Sequence, residues 1–235
     1  FELPTPRFVV WCSIQLSYGC IARRAIGPGK ALDTDEWCVI CTNALGSCYG
    51  STGPSSEHPD GGVWGSRFPA ISMRDMVNAE HAFLQELGIS RVHAVIGGSM
   101  GGARAIEWAV THADMVRGVA VLASTACSSA EQIAWAQAQT QAVRLDPDWA
   151  GGDYHPGPGP VRGLGIARRI AHTTYRSAAE LEGRFGRAAQ GAEDPFGTVA
   201  GPRAGRYQVE SYLDHQAAKL VDRFDAGSYV TLTEA

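Results

Sequence analysis

Apolar positions in the first 127 residues follow two periods. Short apolar runs at 37–41, 92–96 and 116–122 are of strand length, and between them apolar residues recur every three to four positions. In SMRDMVNAEHAFLQELGI, Met76, Phe83, Leu84 and Leu87 share one helical face, and Ser72 with Asp75 has the spacing of a capping box. GARAIEWAVTHAD, with Ala105, Ile106, Ala109 and Val110 at helical spacing, predicts a second helix. Strand, helix, strand, helix, strand implies right-handed crossovers and a parallel sheet.

From about residue 128 the pattern changes. SSAEQIAWAQAQTQAVRL opens on Ser129 and Gln132 in capping-box spacing, and GLGIARRIAHTTYRS and YQVESYLDHQAAKLVDRF are also helical in period. The one strand candidate after residue 122 is 229–232. HPGPGP and FGTVAGPRAG predict loops between helices. The chain therefore divides into an α/β part, 1–127, and a mainly helical part, 128–235. A helical insertion after a strand of such a sheet predicts a lid.

The run VHAVIGGSMGG places Ser99 inside Gly97-Gly98-Ser99-Met100-Gly101, directly after a strand and before a helix. In a nucleophile elbow the serine takes a strained turn, and the flanking positions must be glycine because any side chain there meets the neighbouring backbone. Gly-x-Ser-x-Gly alone is weak, since a chain with 28 glycines in 235 residues contains one by chance about one time in five. The strand and helix flanks make the motif specific. Ser99 is the candidate nucleophile, and the backbone N–H of Met100 is a candidate oxyanion donor.

Charge narrows the partners. The net charge is −4 and the only lysines are Lys30 and Lys219, so phosphate-rich nucleic acid is excluded as a partner. No apolar run reaches the length of a transmembrane helix and no signal-peptide pattern opens the chain, so the expected location is cytoplasmic, away from membranes. Six cysteines, at 12, 20, 38, 41, 48 and 127, fit free thiols. Cys38 and Cys41 lie in a strand-like run without a second Cys/His pair at zinc spacing. They are expected to be buried structural cysteines, and no metal site is expected.

The blocks IGPGKALDTDEW, NALGSCYGSTGPSS, FPAISMRDMV, GGSMGGARAIEWAV, QIAWAQAQTQAVRLDPDWAGGDY, GLGIARRIAHTTYRS, RFGR, VESYLDHQAAKLVDRFDAGSY and LTEA resemble the homoserine O-acetyltransferases of methionine biosynthesis and their relatives that acylate serine or deacetylcephalosporin C. The resemblance covers about residues 26–235. It implies an α/β-hydrolase fold with a helical lid and homodimers formed through lid helices. It also implies a ping-pong reaction in which a serine takes an acyl group from acyl-CoA and passes it to the hydroxyl of L-homoserine. Acetyl-CoA would be a co-substrate, with no bound cofactor. By the same resemblance Arg168 holds the acceptor carboxylate, Tyr175 stands beside it, and Asn43 with the GSTGPSS loop borders the pocket. Helical spacing independently puts Arg168, His172 and Tyr175 along one face, and arginine suits a bidentate carboxylate contact. Without the resemblance, a solvated helix face is the favoured reading of Arg168, and a turn-forming loop explains Asn43 and GSTGPSS equally well.

Two departures stand out. A His-Ala-Leu-Thr-Gly oxyanion segment and a Trp-Trp pair, both expected early in the family pattern, are replaced by FVVWCSIQLSYGCIARR, leaving the second oxyanion donor unassigned. The chain also runs from Phe1 to Ala235, where family members continue into strands carrying the catalytic aspartate and histidine. In this fold both follow the serine, and none of His112, His155, His172 and His215 follows a late core strand. The catalytic Asp and His are therefore not found in this chain, which is expected to be an incomplete core with impaired activity. Asp225 is read as structural. A serine ester hydrolase on the same fold, or a non-catalytic fragment or binding protein, is the alternative.

Overall fold

The structure, a computed structural model, describes residues 7–12, 24–197 and 205–235. It resolves into two compact units, one of residues 1–53, 69–128 and 234–235, the other of 54–68 and 129–233.

Among the described residues the first unit is built on four parallel strands, β1 (Arg7–Cys12), β2 (Trp37–Ile40), β3 (Ala94–Gly98) and β4 (Val119–Leu122), in the order β2-β1-β3-β4. Register is fixed by pairs such as Val9 with Val39, Val10 with Val95 and Val95 with Val119. Helices α1 (Met73–Glu86) and α2 (Met100–Thr111) are the crossovers. Alpha1 begins where the sequence places it: the Ser72 side chain accepts from Asp75 N while Asp75 accepts from Ser72 N. The core joins Val10 and Val95 of the sheet to Val77 and Leu84 of α1 and Ala105 and Trp108 of α2. Burying one such side chain is worth about 1.5–3 kcal/mol, so these faces hold the crossovers on the sheet.

Beta1 lies between β2 and β3 and is not among the strand candidates named above, although its FVVWC run is continuously apolar rather than alternating, as in a parallel strand buried on both faces, here at Val9 and Val10. The segment expected to replace the family's oxyanion loop lies partly at 13–23, outside the described residues. Cys38 and Cys41 correct a second expectation, for both are exposed. Beta2 is an edge of the described sheet, so neither thiol is enclosed; Cys38 and Cys127 are free thiols.

The second unit is helical. Alpha3 (Ala130–Arg144) starts at the Ser129–Gln132 capping box. Alpha4 (Val161–Thr174) packs between α3 and α6 (Gln208–Val221), with α5 (Ala178–Phe185) also against α6. The crossing of α3 and α4 is so close that a Cβ on Gly163 would lie 2.4 Å from the Ala142 carbonyl oxygen. Asp146 satisfies the start of α4 by accepting from Gly163 N at 2.7 Å. The strand candidate at 229–232 is instead part of helix α7 (Ala226–Glu234). Its β-branched Val230 and Thr231 mislead, and Asp225 decides the matter by accepting from Ser228 N at 2.7 Å as an N-cap. The same carboxylate accepts from the Tyr154 hydroxyl at 2.6 Å and lies 3.1 Å from His155 Nε2. Asp225 thus has the structural role expected of it.

Candidate active site

Beta3 ends at Gly98 and α2 begins at Met100, so Ser99 alone makes the turn, at φ 53° and ψ −125°. A non-glycine residue in this region carries about 1–3 kcal/mol of strain and persists only where its surroundings hold it. They do so through the backbone: Ser99 N donates to the Leu122 carbonyl of β4 at 2.9 Å, and the Ser99 carbonyl accepts from Gly102 N at 2.8 Å. The glycine requirement is equally concrete. A Cβ on Gly97 would lie 1.9 Å from the Gly101 carbonyl oxygen, and one on Gly102 would lie 2.5 Å from Ser124 Cβ. The side chain of Ser99 is left exposed. Met100 opens α2, so its N–H precedes the first intrahelical hydrogen bond and lies at the positive end of the helix dipole. A hydroxyl beside an orphan N–H is the arrangement acyl transfer needs.

Asn43 follows β2. Its carbonyl accepts from Ser51 Oγ at 2.9 Å, while Nδ2 is buried without a hydrogen-bond partner among the described residues. It lines a cavity of about 500 Å³ together with Leu45, Tyr49, Met76, Glu80 and Phe83. One wall belongs to a network that the sequence pattern does not announce. Glu80, 4% exposed, pairs with fully buried Arg104; it also accepts from Trp108 Nε1 at 2.8 Å and Thr42 Oγ1 at 2.9 Å. A signal is present, since Glu80 interrupts the Met76-Val77-Leu84 stripe of α1 and Arg104 adjoins Ala105 on the buried face of α2.

In the second unit Arg168 is 3% exposed. Its Nε is buried without a partner, and no hydrogen bond or ion pair reaches the guanidinium among the described residues. The next residue behaves differently: Arg169 pairs with Asp214 at 2.8 Å. Arg168 faces the Tyr175 ring at 6.0 Å, and burial lowers its pKa, with Tyr175 and Tyr229 opposing that effect. His172 shares this face, its ring 5.6 Å from Tyr175. Burial first, then the charges of Arg168, Arg176 and Lys219, push its pKa down to about 4. Ser99, Met100 and Asn43 thus belong to the first unit and Arg168 and Tyr175 to the second. The remaining histidines have other settings: His112 stacks on His81 at 4.0 Å, His155 meets Asp225, and His215 is exposed on α6.

A parallel sheet with crossover helices and a serine held at positive φ between strand and helix defines the α/β-hydrolase class, and residues 25–229 match the family described as alpha/beta hydrolase fold. The chain belongs to that family. Within it, the sequence is similar to the homoserine O-acetyltransferase of Thermobifida fusca, 62% identical over 212 residues that make up 89% of this chain and 54% of that protein. That of Corynebacterium diphtheriae is 58% identical over 210 residues, 89% of this chain and 57% of that protein. The chain spans about half the length of the curated relatives it matches. Among solved structures, homoserine O-acetyltransferase from Bacillus anthracis superposes with a TM-score of 0.84 at 26% identity, covering 98% of this chain and 66% of that one. An esterase superposes with a TM-score of 0.82 at 25% identity, over 98% of this chain and 67% of that one. The resemblance read from the sequence, in family and in fold, is borne out.

Proposed function

We propose that the protein carrying this chain moves an acetyl group from acetyl-CoA to the hydroxyl of L-homoserine, a step of methionine biosynthesis. Arg168 carries this reading. A guanidinium buried to 3% exposure, with no counter-anion among the described residues, is expensive unless an anionic ligand completes it, and an amino-acid acceptor brings a carboxylate. The close relatives of the chain bear the matching name. In the first half-reaction the Ser99 oxygen bonds the thioester carbonyl carbon as its proton passes to a general base. Met100 N–H stabilises the oxyanion, the carbon–sulfur bond breaks, and CoA leaves as the thiol after taking up that proton. In the second, the acceptor hydroxyl attacks the acetyl-serine, its proton is removed by the base, and Ser99 recovers its hydrogen. Arg168 holds the acceptor carboxylate, Tyr175 flanks it, and Asn43 borders the pocket. The helical unit serves as a lid and as the surface of a homodimer, supported by exposed Ile133, Trp135 and Ile166. No helix among the described residues is long and apolar enough to cross a membrane, and a cytoplasmic location belongs to the same proposal.

Mass spectrometry of the intact protein after exposure to acetyl-CoA tests the reading. One acetyl group is expected on the Ser99 peptide, discharged to O-acetylhomoserine when L-homoserine is added. Label elsewhere, or full turnover by Ser99→Ala, overturns it. The likeness to an esterase favours hydrolysis as the second reading. Loss of the label to water at the same rate with and without homoserine would establish that instead.

A further inference from the structure

His172 lies one helical turn after Arg168 on α4, and its two ring nitrogens are placed differently. Nδ1 is 2.7 Å from the Tyr212 hydroxyl of α6. Nε2 is buried and has no hydrogen-bond partner among the described residues. Bonding capacity assigns the hydrogens. Arg176 Nε, 3.4 Å from the same Tyr212 oxygen, is only ever a donor, so the phenol oxygen accepts there. The phenol hydrogen then has Nδ1 of His172 as its acceptor, which leaves a neutral imidazole with its hydrogen on Nε2. The reverse tautomer strands the Tyr212 O–H. Burial and the positive charges of Arg168, Arg176 and Lys219 both oppose protonation of the ring.

Arg168 and His172 both border the Tyr175 ring, at 6.0 Å and 5.6 Å. Each presents a buried nitrogen donor without a partner among the described residues. We propose that His172 is an acceptor-binding residue, fixed by Tyr212 as the Nε2–H tautomer and donating to the same carboxylate that Arg168 pairs with. The proposal rests on the reading of Arg168 given above. The chemistry is economical in charge: a carboxylate has about four lone-pair positions and one negative charge, so one cation and one neutral donor match it where two cations would not. Such a site rejects a neutral amino alcohol, which leaves both donors unpaired. Tyr212 is a positioning residue, acting through the tautomer it imposes.

The test uses the intact protein. Long-range nitrogen–proton NMR of the imidazole should show the His172 hydrogen on Nε2 at neutral pH, and Tyr212→Phe should shift the tautomer balance. His172→Asn keeps an amide near Nδ1 but removes the Nε2 donor. It should raise the KM for L-homoserine by roughly ten- to a hundredfold, the range of a hydrogen bond to a charged group. Acetylation of Ser99 and the KM for 3-aminopropan-1-ol, which has no carboxylate, should change less than about twofold. His172→Gln, whose amide reaches the Nε2 position, should restore part of the loss. A hydrogen on Nδ1, or a cationic ring, at neutral pH overturns the proposal whatever the variants do. So does an unchanged homoserine KM in His172→Asn. If Arg168→Ala then still raises that KM, the carboxylate site stands without His172; if neither variant affects it, the reading of Arg168 falls too.

Discussion

Gly97→Ala adds one methyl group at the point where β3 turns into α2. The new Cβ would lie 1.9 Å from the Gly101 carbonyl oxygen, 2.2 Å from its carbon and 2.8 Å from Gly102 N. All three are backbone atoms, so no side-chain rotation relieves the clash. Ordinary contact begins at about 3.4 Å, so the first turn of α2 must move by about 1.5 Å relative to the strand. Ser99 sits between the two colliding segments and moves with them. A displacement of about 1 Å in a reacting group costs about a hundredfold in rate, and overpacking of this kind destabilises by about 3 kcal/mol or more. We expect acetylation of Ser99 by acetyl-CoA to slow at least about a hundredfold, read as acetyl incorporation against time, with a lower urea midpoint. Gly183→Ala is the control. Gly183 lies within α5 with nothing inside 4 Å of an added Cβ, so the change should raise stability by up to about 1 kcal/mol and leave acetylation unaltered. Wild-type acetylation rates in Gly97→Ala would refute the close approach of strand and helix.

Glu80→Gln should destabilise the protein by about 3–5 kcal/mol in urea titration, because it leaves the fully buried Arg104 beside a neutral amide; a loss under about 1 kcal/mol would show that water reaches the pair. Arg168→Ala should lower kcat/KM for homoserine by about a hundredfold or more while sparing acetylation of Ser99, and equal damage to both half-reactions would point to misfolding. The depressed pKa of His112, caused by burial and then by His81, and that of His172 mean that the unfolded chain binds protons the folded one does not. Stability is then full above the ordinary histidine value of about 6.5 and falls as pH drops from there towards about 4. A urea midpoint unchanged between about pH 7.5 and about pH 5 would contradict this.

Elements marked by their own local chemistry are legible in the amino-acid sequence alone. Ser72 with Asp75 and Ser129 with Gln132 announce α1 and α3 because a capping box needs only residues three apart. The elbow is equally plain, its glycines dictated by a close approach within five residues of the chain. Beta1 carries the same kind of signal in its FVVWC run, but an apolar run does not reveal its neighbours, and its place between β2 and β3 is set by the sheet. Residues 229–232 mislead because β-branched side chains state a preference that a single cap at Asp225 outweighs. In the candidate site, Arg168 and Tyr175 fall on one face by helical spacing. The Glu80–Arg104 pair escapes notice because each partner becomes sensible only beside the other, and they are far apart in sequence. The hydrogen on His172 Nε2 depends on Tyr212 of another helix, which no local pattern encodes.

Asp225 imposes an order in time. Its carboxylate is reached by Tyr154 and His155, 71 and 70 residues earlier in the chain, and the Tyr154 hydroxyl accepts from Gly227 N at 2.7 Å. During synthesis the loop that begins at Asp153 can form its own turns but not these bonds. At ribosomal speeds of about 5–20 residues per second, Tyr154 waits roughly 4–14 s for its partner to be made, and longer for it to clear the ribosome. Through that interval α3 and α4 can find one another while the loop at 153–160 between them stays open, and α6 and Asp225 arrive together at its end, so the helical unit closes last at that loop. A nascent chain released before residue 225 should show that loop cut readily by protease, and one released after residue 228 should not.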